Sequence, residues 1–207
     1  MQERGPRGWR FGGAFAPGGK LPSLGIPEVA FAGRSNVGKS SLINRLMRSP
    51  GLARTSRTPG RTQQVNFFVG DLGLAFADLP GYGYARVPGA LQAGWGPLVE
   101  AYLRRRESLR GVVILVDARR GLMEGDRQML GLAEAHGAAT EIVLSKIDKL
   151  RQGERSRLLR TLAAEGAAAI PFSAVTGEGE DDLWRVLRRW AGPLGQGRAS
   201  RDPLRGD

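Results

Sequence analysis

Cysteine is absent from the sequence, and there is a single histidine, His136. These shortages exclude disulfides, cysteine nucleophiles, thiolate metal sites and any zinc site built from several histidines. Long apolar runs are missing too: none approaches the ~20 residues of a membrane span, and the N-terminus lacks the apolar stretch of a signal peptide. We therefore expect a cytoplasmic protein that has no membrane partner. Its chemistry must use groups other than cysteine thiols and histidine clusters.

Acidic residues are too few to balance the basic ones. The 207 residues include 31 Lys and Arg against 20 Asp and Glu, which gives a net charge of +11. A solvated, arginine-rich surface would account for this excess, but a positive field of that size also concentrates polyanions. The composition therefore favours a nucleic-acid partner, without indicating which one.

Short β-type runs alternate with segments of helical spacing in the central part of the chain. Most of the runs are almost continuously apolar, which is typical of parallel strands covered by helices on both faces. We predict an α/β fold of the P-loop NTPase type, with a doubly wound, mostly parallel sheet, in a domain spanning 26–192. Residues 1–25, with seven Gly and three Pro, are predicted to be a flexible basic leader, and 193–207 a mobile basic tail. The six predicted strands are Val29–Ala32, Val65–Val69, Leu72–Ala77, Val112–Val116, Glu141–Leu144 and Ala168–Phe172.

A glycine-rich loop follows the first predicted strand and precedes a helical pattern, which is the setting of a phosphate-binding loop. Its glycines let backbone N–H groups turn towards a β-phosphate, Lys39 can bridge β- and γ-oxygens, and the Ser40 hydroxyl can bind Mg²⁺. Three of the chain's four lysines lie in candidate nucleotide motifs, whereas arginine is the usual basic residue in the rest of the chain. A slim ammonium fits between phosphates where a planar guanidinium would not. The predicted nucleotide contacts are Gly33, Arg34, Ser35, Asn36, Val37, Gly38, Lys39 and Ser40.

An acidic motif, Asp78-Leu79-Pro80-Gly81, comes at the end of the third predicted strand. A carboxylate in this place can hold Mg²⁺ through water, and the Gly81 N–H can meet a γ-phosphate. Taken alone, the motif is weak evidence, because in most sequences it would be a solvent-facing Asp before a Pro-Gly turn. Its position 39 residues after Lys39 favours the nucleotide role for Asp78, Leu79, Pro80 and Gly81.

Two later segments predict which base is bound. The Asp148 carboxylate can accept hydrogen bonds from the N1–H and 2-amino group of guanine, whereas adenine would leave it unpaired. Asp148 is therefore the predicted base selector, and the stem of Lys146 can lie along the base. A backbone N–H near Ala174 could reach the guanine O6, although a simple turn is the other interpretation there. The predicted base contacts are Ser145, Lys146, Ile147, Asp148, Phe172, Ser173 and Ala174.

These segments together resemble the EngB/YihA/YsxC family of bacterial GTPases. The resemblance rests on VAFAGRSNVGKS (29–40), TPGRTQQVNFF (58–68), DLPGYGYA (78–85), SKID (145–148) and FSAVTG (172–177), within residues 11–191. It implies an Era-like, GTP-hydrolysing switch that binds GTP, GDP and Mg²⁺. It also implies a role in assembly of the large ribosomal subunit, with ribosomal RNA and proteins of its precursor as partners, and a link to normal cell division and septation. Nothing in the sequence demands more than a monomer.

The resemblance also assigns the first switch segment. Thr62 matches the family's switch threonine, whose hydroxyl would complete the Mg²⁺ shell and whose N–H would meet the γ-phosphate, with Thr58 as the alternative. With Gly81 on the other side, two loops would be ordered only while the γ-phosphate is present. The predicted catalytic residues are Lys39, Thr62 and Gly81, the Mg²⁺ ligands are Ser40, Thr62 and Asp78, and the further switch contacts are Gly60, Arg61, Gln63 and Gln64.

Three positions bear on rate and affinity. Tyr82 stands where many GTPases place the glutamine that orients the attacking water, so we predict slow intrinsic hydrolysis that a partner accelerates. Asn36 has two interpretations, as a residue that helps K⁺ act as a charge neutraliser or as a brace of the loop. Ser145 replaces the family's usual Thr, which bears on nucleotide affinity more than on base identity.

Two other classes of function compete with the switch. A P-loop kinase that transfers phosphate from ATP to a small molecule would show no guanine preference, and Asp148 and Thr62 argue against it. An RNA-binding assembly chaperone with a degenerate nucleotide site would not need the intact Lys39, Ser40 and Asp78.

Overall fold

The computed structural model describes residues 8–53, 64–71, 73–83 and 96–192. Within these ranges the chain forms seven β-strands, five α-helices and one 3₁₀ turn. In chain order they are β1 Arg10–Phe15, β2 Glu28–Gly33, α1 Lys39–Met47, β3 Val65–Gly70, β4 Leu74–Asp78, α2 Gly96–Arg105, β5 Leu109–Asp117, α3 Glu124–Ala135, β6 Ala139–Ser145, the 3₁₀ turn Ile147–Lys149, α4 Gln152–Ala164, β7 Ala169–Pro171 and α5 Glu180–Ala191.

All seven strands form one sheet in the order β1-β3-β4-β2-β5-β6-β7. The pairs of β2 with β4 and β5, of β5 with β6 and of β6 with β7 are parallel, whereas β3 runs antiparallel to β1 and to β4. The predicted mostly parallel sheet is therefore confirmed. The parallel strands β2, β4, β5 and β6 end at one edge of the sheet, so the loops that follow them meet there.

Helices cover both faces of the sheet, as predicted. Buried residues of α2, α3 and α4 share one hydrophobic cluster with the sheet, and those of α1 and α5 share the other. Strand β2 is buried at all six positions because it has helices above and below and neighbouring strands on both sides. This arrangement explains why the strand sequences read as continuous apolar runs instead of alternating.

The prediction of a flexible leader over residues 1–25 is wrong for the segment that forms β1. Arg10–Phe15 pairs with β3, and Phe15 is buried. Just before the strand, the Trp9 ring packs on Phe76 with 4.2 Å between ring centroids. The run has two glycines and no β-branched residue, which weakens its intrinsic strand preference, so pairing with β3 and aromatic burial stabilise its conformation.

Helix α5 is amphipathic. Leu183, Trp184 and Leu187 are buried, acidic residues occupy its first turn, and Arg188 and Arg189 lie in its last turn. No helix in the described ranges is long and apolar enough to cross a membrane. The predicted tail at 193–207 lies outside those ranges, as does Leu72, the predicted first residue of the third strand.

Candidate nucleotide-binding site

The glycine-rich loop connects the end of β2 to the start of α1, as the motif predicts. Asn36 and Gly38 adopt left-handed backbone conformations, with φ of 64° and 105°, which reverse the chain within a few residues. A Cβ at Gly33 would lie 2.9 Å from Val37 Cγ1 and 3.1 Å from the Leu115 carbonyl oxygen, so the loop closes tightly over the sheet. The positive end of α1 therefore faces the concave side of the loop, an arrangement that suits a phosphate.

Lys39 and Asp78 form an ion pair at the edge of the sheet where the parallel strands end. Lys39 is the first residue of α1, and Asp78 is the last residue of β4, opposite Phe31 of β2. Both side chains are largely buried, with 11% of each exposed. The fold therefore places a cation that can bind phosphate beside a carboxylate that can accept hydrogen bonds from metal-bound water, the two groups that a magnesium–phosphate ligand requires.

The donors at this edge fit Mg²⁺ bound together with a nucleotide. Mg²⁺ is usually held by one or two protein oxygens, several waters and phosphate oxygens, not by an all-protein cage. Among the residues that the structure describes, no group of three or more His, Cys, Asp or Glu could hold a metal ion. Ser40, in the first turn of α1, and Asp78, at the end of β4, are the predicted ligands that lie within the described residues. The third predicted ligand, Thr62, lies outside the described residues, as do Thr58, Gly60, Arg61 and Gln63.

The turn after β4 lies directly against the glycine-rich loop. A Cβ at Gly81 would come within 3.1 Å of Ser35 Oγ, and the Ser35 N–H donates to the Tyr82 carbonyl at 2.9 Å. Leu79 is buried, and its N–H donates to the Phe31 carbonyl. The structure thus brings Gly81 beside the loop, as predicted for a residue that meets a terminal phosphate.

The Tyr82 side chain points into the core. Its ring is 1% exposed, and its hydroxyl donates to Asp126 Oδ1 at 2.8 Å. Burial raises the pKa of Tyr82 well above its usual value, and the nearby Asp126 carboxylate raises it further. Burial likewise raises the pKa of Asp126. This neutral, buried phenol is not a group that can orient an attacking water.

Two side chains connect the base-binding segment to the glycine-rich loop. Ser145 Oγ donates to the Val37 carbonyl at 2.7 Å. Lys146 Nζ donates to the Asn36 carbonyl at 2.7 Å and to Asp117 Oδ2 at 2.9 Å. Ser145 therefore braces the loop despite being smaller than the usual Thr. Ile147, next in the chain, is buried and anchors the segment.

Asp148 is held by the neighbouring loop. Ser173 Oγ donates to Asp148 Oδ1 at 2.7 Å, and this hydrogen bond lowers the pKa of Asp148. Ser173 Oγ in turn accepts hydrogen bonds from the Val175 and Thr176 N–H groups at 3.2 and 3.1 Å. Phe172, which precedes it, is buried. An ionised and oriented carboxylate therefore lies beside the turn that contains Ala174.

Two residues at the site were missed by sequence reasoning. Asp117 ends β5 as Asp78 ends β4, and it accepts hydrogen bonds from Lys146 and Arg119. The hydrogen bond from Arg119 is the main reason why the pKa of Asp117 is lowered far below its usual value. The sequence signal that could have identified Asp117 is a carboxylate at the end of an apolar run. Arg45 of α1 contacts the Ala174 carbonyl, and no local motif indicates that contact.

Gln64 is the one predicted switch contact within the described residues. Its Nε2 donates to Asn66 Oδ1 at 3.0 Å, which attaches the side chain to the start of β3. Its contact with nucleotide stays a prediction.

Comparisons with known proteins agree with the fold and with the motifs. Residues 28–146 match the family model described as "50S ribosome-binding GTPase". A probable GTP-binding protein EngB of Syntrophus aciditrophicus is 49% identical over 184 residues, which cover 86% of this chain and 92% of that protein. The probable GTP-binding protein EngB of Solibacter usitatus is 48% identical over 167 residues, covering 81% and 87%.

Solved structures show the same fold. The crystal structure of a probable GTP-binding protein engB has a TM-score of 0.63 at 24% identity, covering 78% of this chain and 99% of that chain. Aquifex aeolicus Era bound to GDP and AlF₄⁻ has a TM-score of 0.64 at 21% identity, covering 81% of this chain and 57% of Era.

Proposed function

This chain belongs to the EngB family of GTP-binding, GTP-hydrolysing proteins, and from that premise we propose that its nucleotide switch assists assembly of the large ribosomal subunit. The ribosomal partner is supported by the description of the matching family, "50S ribosome-binding GTPase", and by the net charge of +11. A role in normal cell division and septation, a cytoplasmic location and a monomeric state belong to the same proposal.

The observation that carries guanine nucleotide binding is the oriented carboxylate of Asp148 beside Ser173. In our proposal Asp148 accepts the guanine N1–H and 2-amino hydrogens, and a backbone N–H at Ala174 binds O6. Lys146 packs along the base while its ammonium stays on the Asn36 carbonyl and Asp117. Adenine would displace water from Asp148 without supplying the two donors of guanine, which costs more than a missing apolar contact.

The phosphate side uses the glycine-rich loop. Lys39 neutralises the β- and γ-phosphate oxygens, and the loop N–H groups surround the β-phosphate. Ser40, Asp78 and Thr62 would hold Mg²⁺, which supplies charge neutralisation when bound. The N–H groups of Gly81 and Thr62 contact the γ-phosphate, so both switch loops are released when it leaves.

Hydrolysis transfers the γ-phosphoryl group of GTP to water and releases GDP and inorganic phosphate. Catalysis of this step is mainly positioning and charge stabilisation, and a glutamine commonly orients the water. The Tyr82 side chain is instead held in the core by Asp126. We therefore propose a slow intrinsic rate that rises when a partner supplies the missing groups. Separately from a partner, K⁺ near Asn36 would neutralise charge, and equal turnover in K⁺ and Na⁺ would exclude this role.

The test is co-sedimentation with ribosomal particles. Protein loaded with GTP or GDP is mixed with large-subunit precursors, mature large subunits and small subunits, at low and high salt. We expect the GTP form to bind the large-subunit precursor in preference to the GDP form. Lys39→Ala should abolish this difference, whereas the matched Lys20→Ala, at an exposed position, should keep it. Equal binding of the two nucleotide forms would refute the coupling.

The other two functions predict different results. A kinase would bind ATP as well as GTP, which calorimetry with both nucleotides detects. An RNA chaperone with a degenerate site would bind particles equally with and without Lys39. The ion pair of Lys39 with Asp78 and the bonded Asp148 favour the switch.

A further inference from the structure

Arg45 spans two parts of the site that lie far apart in the sequence. It lies in α1, the helix that follows the glycine-rich loop, and its Nη1 donates to the Ala174 carbonyl at 3.0 Å. Its Nε donates to Glu180 Oε2 at 2.8 Å, at the first residue of α5. One guanidinium therefore attaches the phosphate-binding helix to the loop between β7 and α5.

The same loop is shaped to receive this guanidinium. Gly177 has a φ of 88°, and a Cβ there would overlap the Arg45 guanidinium. The left-handed conformation favours glycine at this position, and any Cβ would displace the Arg45 guanidinium from its present place. The loop thus packs against Arg45 in addition to bonding to it.

Ala174 is consequently fixed from both sides. On one side Ser173 is held by Asp148 and by its own hydrogen bond to the Glu178 carbonyl. On the other side the Ala174 carbonyl accepts from Arg45. With both neighbouring peptide groups restrained, the direction of the Ala174 N–H is determined. Val175, next in the chain, is 77% exposed and restrains the loop little by burial.

We propose that Arg45 is a positioning residue for base recognition: it holds the loop so that the Ala174 N–H is directed at the oxygen on C6 of a bound guanine. This proposal rests on the guanine placement proposed above. Arg45 touches neither the base nor the phosphates; it acts through Ala174 and Gly177. Its removal should weaken binding of O6 while leaving the Asp148 contact in place.

A fork of two donors is required, not a positive charge alone. Nε and Nη1 serve different acceptors, Glu180 and Ala174, from one rigid plane. A lysine could keep the ion pair with Glu180 but has no planar fork to restrain Ala174 as well. Arg45→Lys therefore separates the electrostatic tie between α1 and α5 from the positioning of the loop.

The test compares nucleotides that differ at one base atom. Calorimetry of the full chain measures affinities for GDP, 6-thio-GDP, IDP and ADP. 6-Thio-GDP replaces O6 by a poor acceptor but keeps both donors to Asp148, whereas IDP keeps O6 and lacks the 2-amino group. In Arg45→Ala and Arg45→Lys we expect GDP affinity to fall about tenfold and 6-thio-GDP affinity by no more than about twofold. The ratio of GDP to IDP affinity should stay unchanged.

Arg48→Lys is the matched control, because Arg48, the residue directly after α1, reaches the same Glu180 carboxylate at 3.9 Å. It should leave all four affinities unchanged. Thermal unfolding of each variant verifies folding, and Arg45→Lys provides the test if Arg45→Ala does not fold. Equal weakening of GDP and 6-thio-GDP, or no weakening, would overturn the proposal. Equal affinity of the unaltered protein for GDP and ADP would refute the guanine site itself.

Discussion

At the scale of single residues, Lys146 shows how a base-binding segment is tied to a phosphate-binding loop. Its φ of 60° turns the chain between β6 and the 3₁₀ turn, and its ammonium bonds to Asn36 and Asp117. The following carboxylate, Asp148, is thereby set next to Ser173. In the proposed site, selection of the base and the position of the phosphate-binding loop would therefore depend on closely spaced residues, Lys146 and Asp148.

Replacing Asp148 by Asn should change which purine is bound. Xanthine carries an oxygen where guanine carries its 2-amino group, and the Asn amide can donate to that oxygen. We expect Asp148→Asn to lose about 100-fold in GDP affinity, because two hydrogen bonds to a charged acceptor are lost, and to gain affinity for XDP. Calorimetry with both nucleotides checks this.

Asp182→Asn, on the exposed start of α5, is the control and should bind GDP normally. The lowered pKa of Asp148 also predicts how guanine preference depends on pH. Because the carboxylate stays ionised below its ordinary range, guanine preference should be constant between pH 8 and pH 5. Unchanged GDP binding by Asp148→Asn would contradict the assignment.

A second residue with several partners, Glu28, lies at the opposite end of β2. Its carboxylate is fully buried and bonds to Arg106 through both oxygens, to Ser108 Oγ at 2.8 Å and to the Tyr102 hydroxyl at 3.4 Å. Arg106 also lies over the Phe67 ring, 5.0 Å from its centroid. This network joins the start of β2 to α2 and β5, away from the nucleotide site.

Glu28→Gln should destabilise the protein without affecting the nucleotide. It leaves the 7%-exposed Arg106 side chain without its counter-charge, and breaking a buried pair in this way costs about 3 kcal/mol. Urea unfolding measures the loss. The exposed pair of Glu100 with Arg104 gives the control, since Glu100→Gln should cost less than about 1 kcal/mol. Equal losses in the two variants would contradict the structural role of Glu28.

The residues that sequence reasoning identified are those with local motifs. Lys39, Asp78 and Asp148 were found because their spacing from strands has a direct chemical meaning. Arg45 and Glu28 could not be found, because their partners lie 129 and 78 positions away and only the fold brings them together. Tyr82 was recognised as an unusual residue, but the buried direction of its ring depends on Asp126 in α3.

At the scale of elements, the parallel strands were predictable and the antiparallel edge strand was not. Continuous apolar runs indicate β2, β5 and β6 because burial on both faces leaves no polar alternation. Strand β1 contains two glycines and has a mixed burial pattern. A register shift between Phe11 and Gly13 interrupts its pairing with β3. Its strand conformation depends on long-range pairing, which local composition does not reveal.

Trp9→Ala tests whether this N-terminal segment is part of the folded domain. Trp9 is 7% exposed and packs on Phe76, so we expect a loss of about 3 kcal/mol in the free energy of unfolding. Denaturant unfolding of the full chain provides the measurement. Phe11→Ala, on the same segment but 51% exposed, should cost about 1 kcal/mol or less. A flexible leader would instead make both substitutions neutral.

At the scale of the whole molecule, the positive charge is spread over several elements. Exposed arginines include Arg120 after β5 and Arg157 and Arg160 on α4. Others, such as Arg45 and Arg106, are engaged with acidic partners inside the fold. Net charge alone therefore does not define a binding face. Arg54, Arg57 and Arg61 lie outside the described residues, and in the sequence they shortly precede Thr62, the residue proposed for the first switch.

The salt dependence of binding should identify which arginines follow the nucleotide state. Each neutralised phosphate contributes about 0.7 to 0.9 to the slope of log affinity against log salt concentration. Suppose that Arg54, Arg57 and Arg61 contact ribosomal RNA only when GTP is bound. Replacing all three by Ala should then lower the slope by about two to three in the GTP form. The slope of the GDP form should stay unchanged. A matched variant with Arg120, Arg157 and Arg160 replaced by Ala removes the same charge from exposed positions elsewhere. It should lower the slope equally in both nucleotide forms or in neither. These outcomes are distinguished by measuring affinity for large-subunit precursors from 50 to 300 mM KCl. If the switch variant and the unaltered protein have equal slopes with GTP bound, switching does not act through these arginines.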